Sequence, residues 1–371
     1  MLKVLFIGES VDDHAFVIKS VVKELEKITK EKGIRYQFSY MGSFTKSFKE
    51  EMGVRTKSIL SSSFLLPFSL IQSFFWLFVN TPDLIFSKGG QVTLPIILSA
   101  QILRIPVFIH ETESSLSLIN KFISKIALTV FTSFNNTRGL DKKKEMRLGY
   151  PFQKKSLSDY ISAQNNLSSF FPKKTKRPIL FFISTFKNSE KINDFILNVL
   201  TDLTQTFYIF HQVTEEEYSQ VKKESEVILS EEGKKFYHLF SCTREINYIN
   251  KLEDVQVVSD IIILESTEKI IFEMAAMNKP TILIIFSDKT DNREERQRIE
   301  SAYSYANSGA SIVFEKSNLK RGLFLDKLNS LFSEPNIKEL KKMSEKAKEF
   351  STPNAGRLIA TYLFEYWKLK I

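Results

Sequence analysis

Cysteine is almost absent from this chain: Cys242 stands alone among 371 residues. One thiol excludes an internal disulfide framework and, with it, a cysteine-based zinc site. Histidine is nearly as scarce. His14, His110, His211 and His238 lie far apart and form no His-x-x-x-His pair, so no local metal motif is expected. Glycine numbers only 12, about 3% of the chain against a typical ~7%. Any phosphate-binding loop that normally relies on glycine is therefore expected in eroded form. Charge is missing altogether between Lys57 and Asp83.

What is present is ordinary globular composition, 43% hydrophobic and 26% charged, at a length suited to two domains. Phenylalanine is abundant at 33 residues. The net charge of +9 is uneven: residues 1–150 hold 20 Lys and Arg against 13 Asp and Glu, whereas the remainder is nearly balanced. A basic N-terminal half suits an anionic partner such as anionic lipid or a phosphorylated substrate. No RNA-binding signature, basic-aromatic run or helix-turn-helix pattern occurs, so nucleic acid is not an expected partner. The chain opens on a strand-like run, Leu2 to Ile7, without the pattern of a signal peptide, and a cytoplasmic location is expected.

The charge-free stretch has three readings. Ile59 to Val79 is long enough to cross a bilayer, but Pro67, Gln72 and its serines count against that. Strand-helix units on both sides of it also count against spanning, because one sheet cannot be built on two sides of a membrane. A helix lying in the membrane interface and a plain buried helix are the other readings.

Around this stretch, apolar runs alternate with amphipathic segments. Strand-like runs at 2–8, 36–42, 83–88, 106–110 and 128–134 enclose helical patterns near 14–32, 63–80, 93–104 and 114–127. Residues 152–177 are rich in Lys, Ser and Asn and read as a linker. Strand candidates then recur at 178–185, 206–212, 236–241, 261–265, 281–286 and 311–315, and a last amphipathic helix covers about 354–369. The expected fold class is α/β, with two successive doubly wound Rossmann-like halves. In such a pair, ligands bind at the carboxyl ends of the strands, in a cleft that the halves face.

Three segments at predicted strand ends carry candidate chemistry. Phe6-Ile-Gly8-Glu-Ser-Val-Asp-Asp-His14 has Gly8 where a phosphate loop would open. It is equally an ordinary β-α turn capped by Asp12 or Asp13. Ser87-Lys-Gly-Gly-Gln91 pairs Gly89 and Gly90 before a helix, which suits either close ligand approach or a tight turn. Asp260-Ile-Ile-Ile-Leu-Glu-Ser-Thr-Glu-Lys-Ile-Ile-Phe-Glu273 reads as a buried strand running into a helix. There the hydroxyls of Ser266 and Thr267 can cap the helix or meet a phosphate. Glu273, two turns in, suits a ribose diol or a solvated surface.

Taken in order, these pieces resemble a known family. The residues that carry the likeness are Pro82-Asp-Leu-Ile-Phe-Ser-Lys-Gly-Gly-Gln-Val-Thr-Leu-Pro95, Ile105-Pro-Val-Phe-Ile-His-Glu111 and Leu118-Ile-Asn-Lys-Phe-Ile-Ser-Lys-Ile-Ala127. Further matches are Leu148-Gly-Tyr-Pro-Phe152, His211-Gln212, Tyr248-Ile249, Ser259-Asp260, Phe272-Glu-Met-Ala-Ala-Met-Asn-Lys-Pro280 and Ser308-Gly-Ala-Ser-Ile-Val313. The chain resembles the MurG-type N-acetylglucosaminyltransferases of peptidoglycan synthesis, glycosyltransferase family 28, over nearly its whole length. The resemblance implies the GT-B fold. It also implies transfer of N-acetylglucosamine from UDP-GlcNAc to the muramoyl sugar of lipid I, a polyprenyl-pyrophosphate-linked acceptor, on the cytoplasmic face of the membrane.

The same resemblance implies a division of labour. Residues 1–152 would bind acceptor and membrane, 153–176 would link, 177–352 would bind the UDP-sugar, and the helix at 353–371 would pack back on the N-terminal domain. His14 is the expected base. Val11, Asp12 and Asp13 fall on the other positions of the family's Thr-Gly-Gly-His loop, with Gly8, Gly89 and Gly90 completing the acceptor and phosphate loops. Donor contacts fall to Thr185, Ile249 beside the uracil, Ser266, Thr267, Glu268, Glu273 on the ribose, and Gln297, with Glu294 as the other alignment for that glutamine. Glu113 replaces a donor-binding asparagine and Gln153 a donor-binding arginine. Ser266 matches the serine of the family's Arg-Ser-Gly motif. Phe64, Leu65, Phe68, Ile71, Phe75 and Trp76 would form the patch that docks on an anionic membrane surface, beside Lys46, Lys49, Arg55 and Lys57.

No metal site and no cofactor beyond the donor are implied, although Asp12 and Asp13 beside a diphosphate call for neutralisation by lysines or Mg²⁺. At an effective dielectric near 20, one like-charge pair at ~4 Å costs ~4 kcal/mol. The departures leave two other classes open: a non-catalytic or altered-specificity relative that binds a nucleotide sugar, and a GT-B epimerase of UDP-GlcNAc. A transferase acting on another lipid-linked sugar is a third variant of the expectation.

Overall fold

The computed structural model describes residues 1–8, 12–42, 66–135, 137–151, 177–184, 188–241, 252–286, 293–334, 337–352 and 354–370. The chain divides into two compact units, Met1–Gln153 with Thr352–Ile371, and Lys154–Ser351. The linker region 153–176 lies outside the described residues.

Unit 1 holds strands β1 (Leu2–Gly8), β2 (Tyr36–Gly42), β3 (Leu84–Ser87), β4 (Val107–Glu111), β5 (Thr129–Thr132) and β6 (Glu145–Arg147). They form one sheet in the order β2-β1-β3-β4-β5-β6, parallel throughout. Its helices are α1 (Asp12–Glu31), α2 (Leu66–Asn80), α3 (Leu94–Ile102), α4 (Leu118–Ile126) and, from the far end of the chain, α13 (Ala355–Lys368). β6 escapes a pattern reading because Glu-Met-Arg is a polar, half-buried edge.

Strand periodicity sorts the two sheet faces by chemistry. One face is aliphatic: Leu5, Ile7, Ile85, Val107, Ile109 and Val130 pack with Leu77 of α2, Ile96 and Ile97 of α3 and Ile123 of α4. The opposite face is aromatic, with Phe6, Phe86, Phe108 and Phe131 fully buried. The register pairs Phe6 with Phe86, and Phe86 with Phe108. Tyr362 and Tyr366 of α13 meet this row edge-on, with Tyr366 centred 4.9 Å from Phe108. Such pairs contribute about 0.5–1.5 kcal/mol beyond burial. α13 also packs on α1, where Gly356 lies so close to Ser20 that a Cβ would come within 2.6 Å of its Oγ.

Unit 2 repeats the plan with β7 (Ile179–Ser184), β8 (Tyr208–Val213), β9 (Tyr237–Ser241), β10 (Ile261–Glu265), β11 (Thr281–Ile285) and β12 (Ser311–Glu315). The sheet order is β12-β11-β10-β7-β8-β9, again parallel. Its helices are α5 (Ser189–Thr206), α6 (Glu215–Ile228), α7 (Glu231–Lys234), α8 (Leu252–Val258), α9 (Glu268–Ala276), α10 (Arg293–Asn307), α11 (Arg321–Phe332) and α12 (Ile337–Phe350). Ile192, Ile196, Val199, Leu200 and Leu203 form the buried stripe of α5, spaced three and four apart, against Leu180, Phe182, Ile261 and Ile263 of the sheet. Two parallel sheets, each with its core against helices, put both sets of carboxyl strand ends at the disposal of a ligand.

The charge-free stretch forms α2 from Leu66 onward. Among the described residues no helix is long and apolar enough to cross a membrane. Ser69, Ser73 and Leu77 face inward, while Phe68, Ile71 and Phe75 are 57–63% exposed. Phe64 and Leu65 lie outside the described residues. Trp76 is half-buried and packs against the aliphatic core, so its indole belongs to the inward side of the helix more than to the exposed patch. Phe78 and Val79 extend the patch instead.

Candidate functional site

At the carboxyl edge of unit 1, β1 and β2 end on the paired residues Gly8 and Gly42. A Cβ on Gly42, at φ +139°, would fall 2.1 Å from the Gly8 carbonyl oxygen, so the close approach of the two strand ends requires glycine. α1 begins at Asp12 immediately beyond. His14 therefore lies in the first turn of the first helix after β1. Val11 and the side chains of Asp12, Asp13 and His14 lie outside the described residues.

Further along this edge, β3 and β4 end in a buried polar network. Lys88, only 2% exposed, donates from Nζ to Thr112 Oγ1 at 2.8 Å. Glu111 closes β4. Its Oε2 accepts from Asn120 Nδ2 at 2.8 Å and its Oε1 from the Glu113 backbone N–H at 3.1 Å. Asn120 Oδ1 in turn accepts from the Gly90 N–H at 3.1 Å. Gly89, at φ +84°, passes so near that a Cβ would meet Asn120 Oδ1 at 2.5 Å. The Gly89-Gly90 pair is thus explained by a turn packed on Asn120. Below it, buried His110 bonds through Nε2 to the Gly149 carbonyl. Burial, and then the Lys88 charge, push its pKa down to about 3, so this ring stays neutral and structural.

The corresponding edge of unit 2 is built around Glu265, which closes β10 and is 3% exposed. Its Oε2 accepts from the Asn188 N–H at 3.1 Å, and its Oε1 accepts from Asn188 Nδ2 at 2.6 Å and from Arg298 Nη1 at 3.2 Å. Asn188 caps the start of α5, Arg298 comes from α10, and Glu265 ties both to the strand end that precedes α9. Ser266 follows, 2% exposed, and among the described residues its Oγ has no hydrogen-bond partner. Thr267 caps α9 by accepting from the Ile270 N–H at 3.4 Å. Glu265, Ser266, Phe286, Glu295 and Arg298 line a crevice of about 10 Å³, room for about one water-sized group. One turn behind, Glu273 is half-buried and accepts from buried Gln256 Nε2 at 3.3 Å. Gln297 is buried beside Arg298 on α10.

Strand β7 ends on Ser184, whose Oγ meets His211 Nε2, itself bonded to Asn193 Oδ1 at 2.9 Å. His211 Nδ1 meets Tyr237 Oη at 2.9 Å. Burial lowers the His211 pKa to about 3, which leaves it a structural link under the strand end. Thr185, Ile249 and Gln153, together with the side chains of Glu268 and Glu294, lie outside the described residues. Of the sequence-predicted donor residues, the structure brings Ser266 and Thr267 together at the start of α9, with Glu273 on the same helix and Gln297 on α10. Glu113 belongs to unit 1, is half-buried, and donates its N–H to Glu111 Oε1. Among the described residues no cluster of three or more His, Cys, Asp or Glu could hold a metal ion.

Sequence reading passed over Glu265, Asn188, Arg298 and Gln256 in unit 2, and the Lys88–Thr112 and Glu111–Asn120 bonds in unit 1. One signal was available: Glu111 and Glu265 are each a charged residue closing an otherwise apolar strand, which a buried strand end tolerates only with partners.

Comparison with known proteins joins the two units. The family description "Glycosyltransferase family 28 N-terminal domain" matches residues 17–132, and "Glycosyltransferase family 28 C-terminal domain" matches 187–357. A Clostridium botulinum (strain Hall) protein is 26% identical over 98% of this chain and 99% of its own length. It bears the name UDP-N-acetylglucosamine–N-acetylmuramyl-(pentapeptide) pyrophosphoryl-undecaprenol N-acetylglucosamine transferase. Among solved structures, Acinetobacter baumannii MurG superposes with a TM-score of 0.76 at 16% identity, covering 98% of this chain and all of the other. A UDP-GlcNAc 2-epimerase from Neisseria meningitidis, bound to UDP-GlcNAc, superposes at 0.65 with 15% identity and the same coverage. At such identities these likenesses show the fold alone, two parallel-sheet halves of GT-B type.

Proposed function

Because the chain belongs to glycosyltransferase family 28, we propose that it is an inverting transferase moving N-acetylglucosamine from UDP-GlcNAc to the muramoyl sugar of lipid I. The observation that carries this reading is the unit 2 edge. A helix N-terminus, an unpartnered buried Ser266 hydroxyl and the Arg298 guanidinium stand together where β10 ends. That combination suits the diphosphate of a nucleotide sugar. The full-length match to the C. botulinum transferase supports the acceptor assignment.

In this reading, UDP-GlcNAc lies on unit 2, with Glu273 on the ribose hydroxyls, Ile249 beside the uracil, and Thr185, Ser266 and Thr267 near the phosphates. Glu268, Gln297, Glu113 and Gln153 complete the donor set. The acceptor hydroxyl attacks the anomeric carbon as the bond from that carbon to the phosphate oxygen breaks. His14 takes the hydroxyl proton, and UDP leaves with its charge met by hydroxyls and helix dipole.

The acceptor is lipid-linked, so the protein works on a membrane surface, peripherally and on the cytoplasmic side. The exposed apolar face of α2, with Phe68, Ile71 and Phe75, supports that docking. α3 and α4 add exposed Ile102, Leu118 and Phe122, and Lys121 and Lys125 on α4 supply cations within the described residues. Lys46, Lys49, Arg55 and Lys57 lie outside them.

Incubation with UDP-GlcNAc and a lipid I analogue tests the proposal: UDP release together with a product heavier by one N-acetylhexosamine is expected. UDP-GlcNAc bound without turnover would point to a non-catalytic relative, and formation of UDP-N-acetylmannosamine, or of free N-acetylmannosamine with UDP by added hydrolysis, to an epimerase.

A further inference from the structure

The Glu265 cluster does more than the donor residues already named require. Glu265 is a buried acid at the strand end on which the diphosphate is placed, where an uncompensated carboxylate would repel it. Among the described residues every hydrogen-bond partner of that acid is a donor, and the three donors come from two segments distant in sequence: Asn188 at the start of α5 and Arg298 on α10. Arg298 has five N–H donors, and among the described residues only Nη1 is engaged by a side chain, that of Glu265. Its side chain is 24% exposed and lines the same crevice as the unpartnered Ser266 Oγ.

We propose that Glu265 is a positioning residue for the donor: it holds Arg298 and the end of the β7–α5 loop so that Arg298 and Ser266 Oγ meet the diphosphate. This rests on the assignment of the donor to unit 2. Glu265 touches no substrate. It fixes the planar guanidinium in one orientation and neutralises its own charge in doing so, which leaves the remaining N–H donors directed at one ligand oxygen at a time. The Glu295 carboxyl on the same crevice wall makes this orientation matter, since a swinging guanidinium would have a second acid to pair with.

Calorimetry and steady-state kinetics on wild type, Glu265→Gln, Glu265→Asp, Arg298→Ala and the double variant Glu265→Gln/Arg298→Ala test the proposal. In Glu265→Gln the amide turns an NH₂ toward groups that are themselves donors. KM for UDP-GlcNAc and Kd for UDP should rise about tenfold, with kcat changed less than about threefold, the signature of lost uniform binding. Arg298→Ala should do the same, and the double variant should be no worse than either single, because both remove one unit. Glu265→Asp, which keeps the charge, should recover part of the loss.

Single variants that bind UDP like wild type, with only a lower melting temperature, would make the cluster merely structural and overturn the proposal. So would strictly additive losses. Should Glu265→Gln fail to fold, Arg298→Ala carries the test alone, since its side chain is partly at the surface. Wild type that binds neither UDP nor UDP-GlcNAc would overturn the donor assignment and this proposal together; unchanged affinity in the variants overturns only the latter.

Discussion

The two sheets end in similar motifs with opposite degrees of closure. In unit 1, Glu111 closes β4 and accepts from the Asn120 side chain and one backbone N–H. In unit 2, Glu265 closes β10 and accepts from the Asn188 side chain and one backbone N–H. Each edge also has a cation. Lys88 is sealed in and bonded to Thr112, whereas Arg298 is partly exposed and stands beside a hydroxyl without a partner. A closed network fixes the loops of its unit. An open one keeps donors ready for a ligand, at the cost of leaving Ser266 Oγ unsatisfied until that ligand arrives. The difference supports the proposed placement of the nucleotide on unit 2.

The sharpest break between the two edges concerns chemistry. His14→Ala, at the start of α1 in unit 1, is expected to lower turnover by ~10²–10⁴ and to leave UDP-GlcNAc affinity intact, measured by initial rates beside calorimetry. Equal losses in both would move His14 from acceptor to donor.

Next in size is Glu111→Ala. It strips acceptors from Asn120 Nδ2 and the Glu113 N–H, and at about 1–3 kcal/mol for each buried orphan it should lower stability by about 2–6 kcal/mol in denaturant titration. UDP affinity should not move. Loss of UDP binding in a folded Glu111→Ala protein would show that the closed edge is a ligand site after all.

Glu273→Ala is the mirror case. Glu273 is half-buried and accepts from Gln256 Nε2, and the loss expected from its removal is read at UDP binding. Removing a charged acceptor costs roughly 1.5–3 kcal/mol, which weakens UDP binding about tenfold to a hundredfold. Unchanged UDP affinity would remove Glu273 from the donor set.

A separate comparison concerns the membrane. Phe68→Ser/Phe75→Ser should weaken binding to anionic liposomes about tenfold or more, since burying each ring is worth about 1.5–3 kcal/mol, and should spare UDP binding. Trp76 is left alone because it packs on the core. Wild type that ignores such liposomes would refute docking through α2.

How much of this was legible beforehand follows from the kind of signal involved. The strands were readable because runs such as Ile261–Leu264 are apolar without interruption and bounded by polar residues, which only a sheet covered on both faces explains. Strand β6 was not, because an edge of Glu-Met-Arg carries no periodicity. Ser266 and Thr267 were visible as hydroxyls between a strand and a helix. Glu265 read only as the last residue of the strand at 261–265, and nothing local in sequence links it to Arg298, which lies 33 residues away on α10. The Arg-Ser-Gly motif that aligns with Ser266 places an arginine where this chain has Glu265, and the guanidinium that meets Glu265 comes from another helix, a contact only tertiary structure discloses. The Gly89-Gly90 pair shows the converse. It looked open to a ligand, and it is filled by Asn120.

The central claim, that the nucleotide binds on the open edge of unit 2, is tested most directly by hydrogen exchange on the whole protein with and without saturating UDP. Protection is expected in peptides covering Ile263–Phe272 and Arg293–Ser301, with exchange unchanged across Ser87–Asn120. Protection of the Ser87–Asn120 segment alone, with the unit 2 peptides unaffected, would contradict the account.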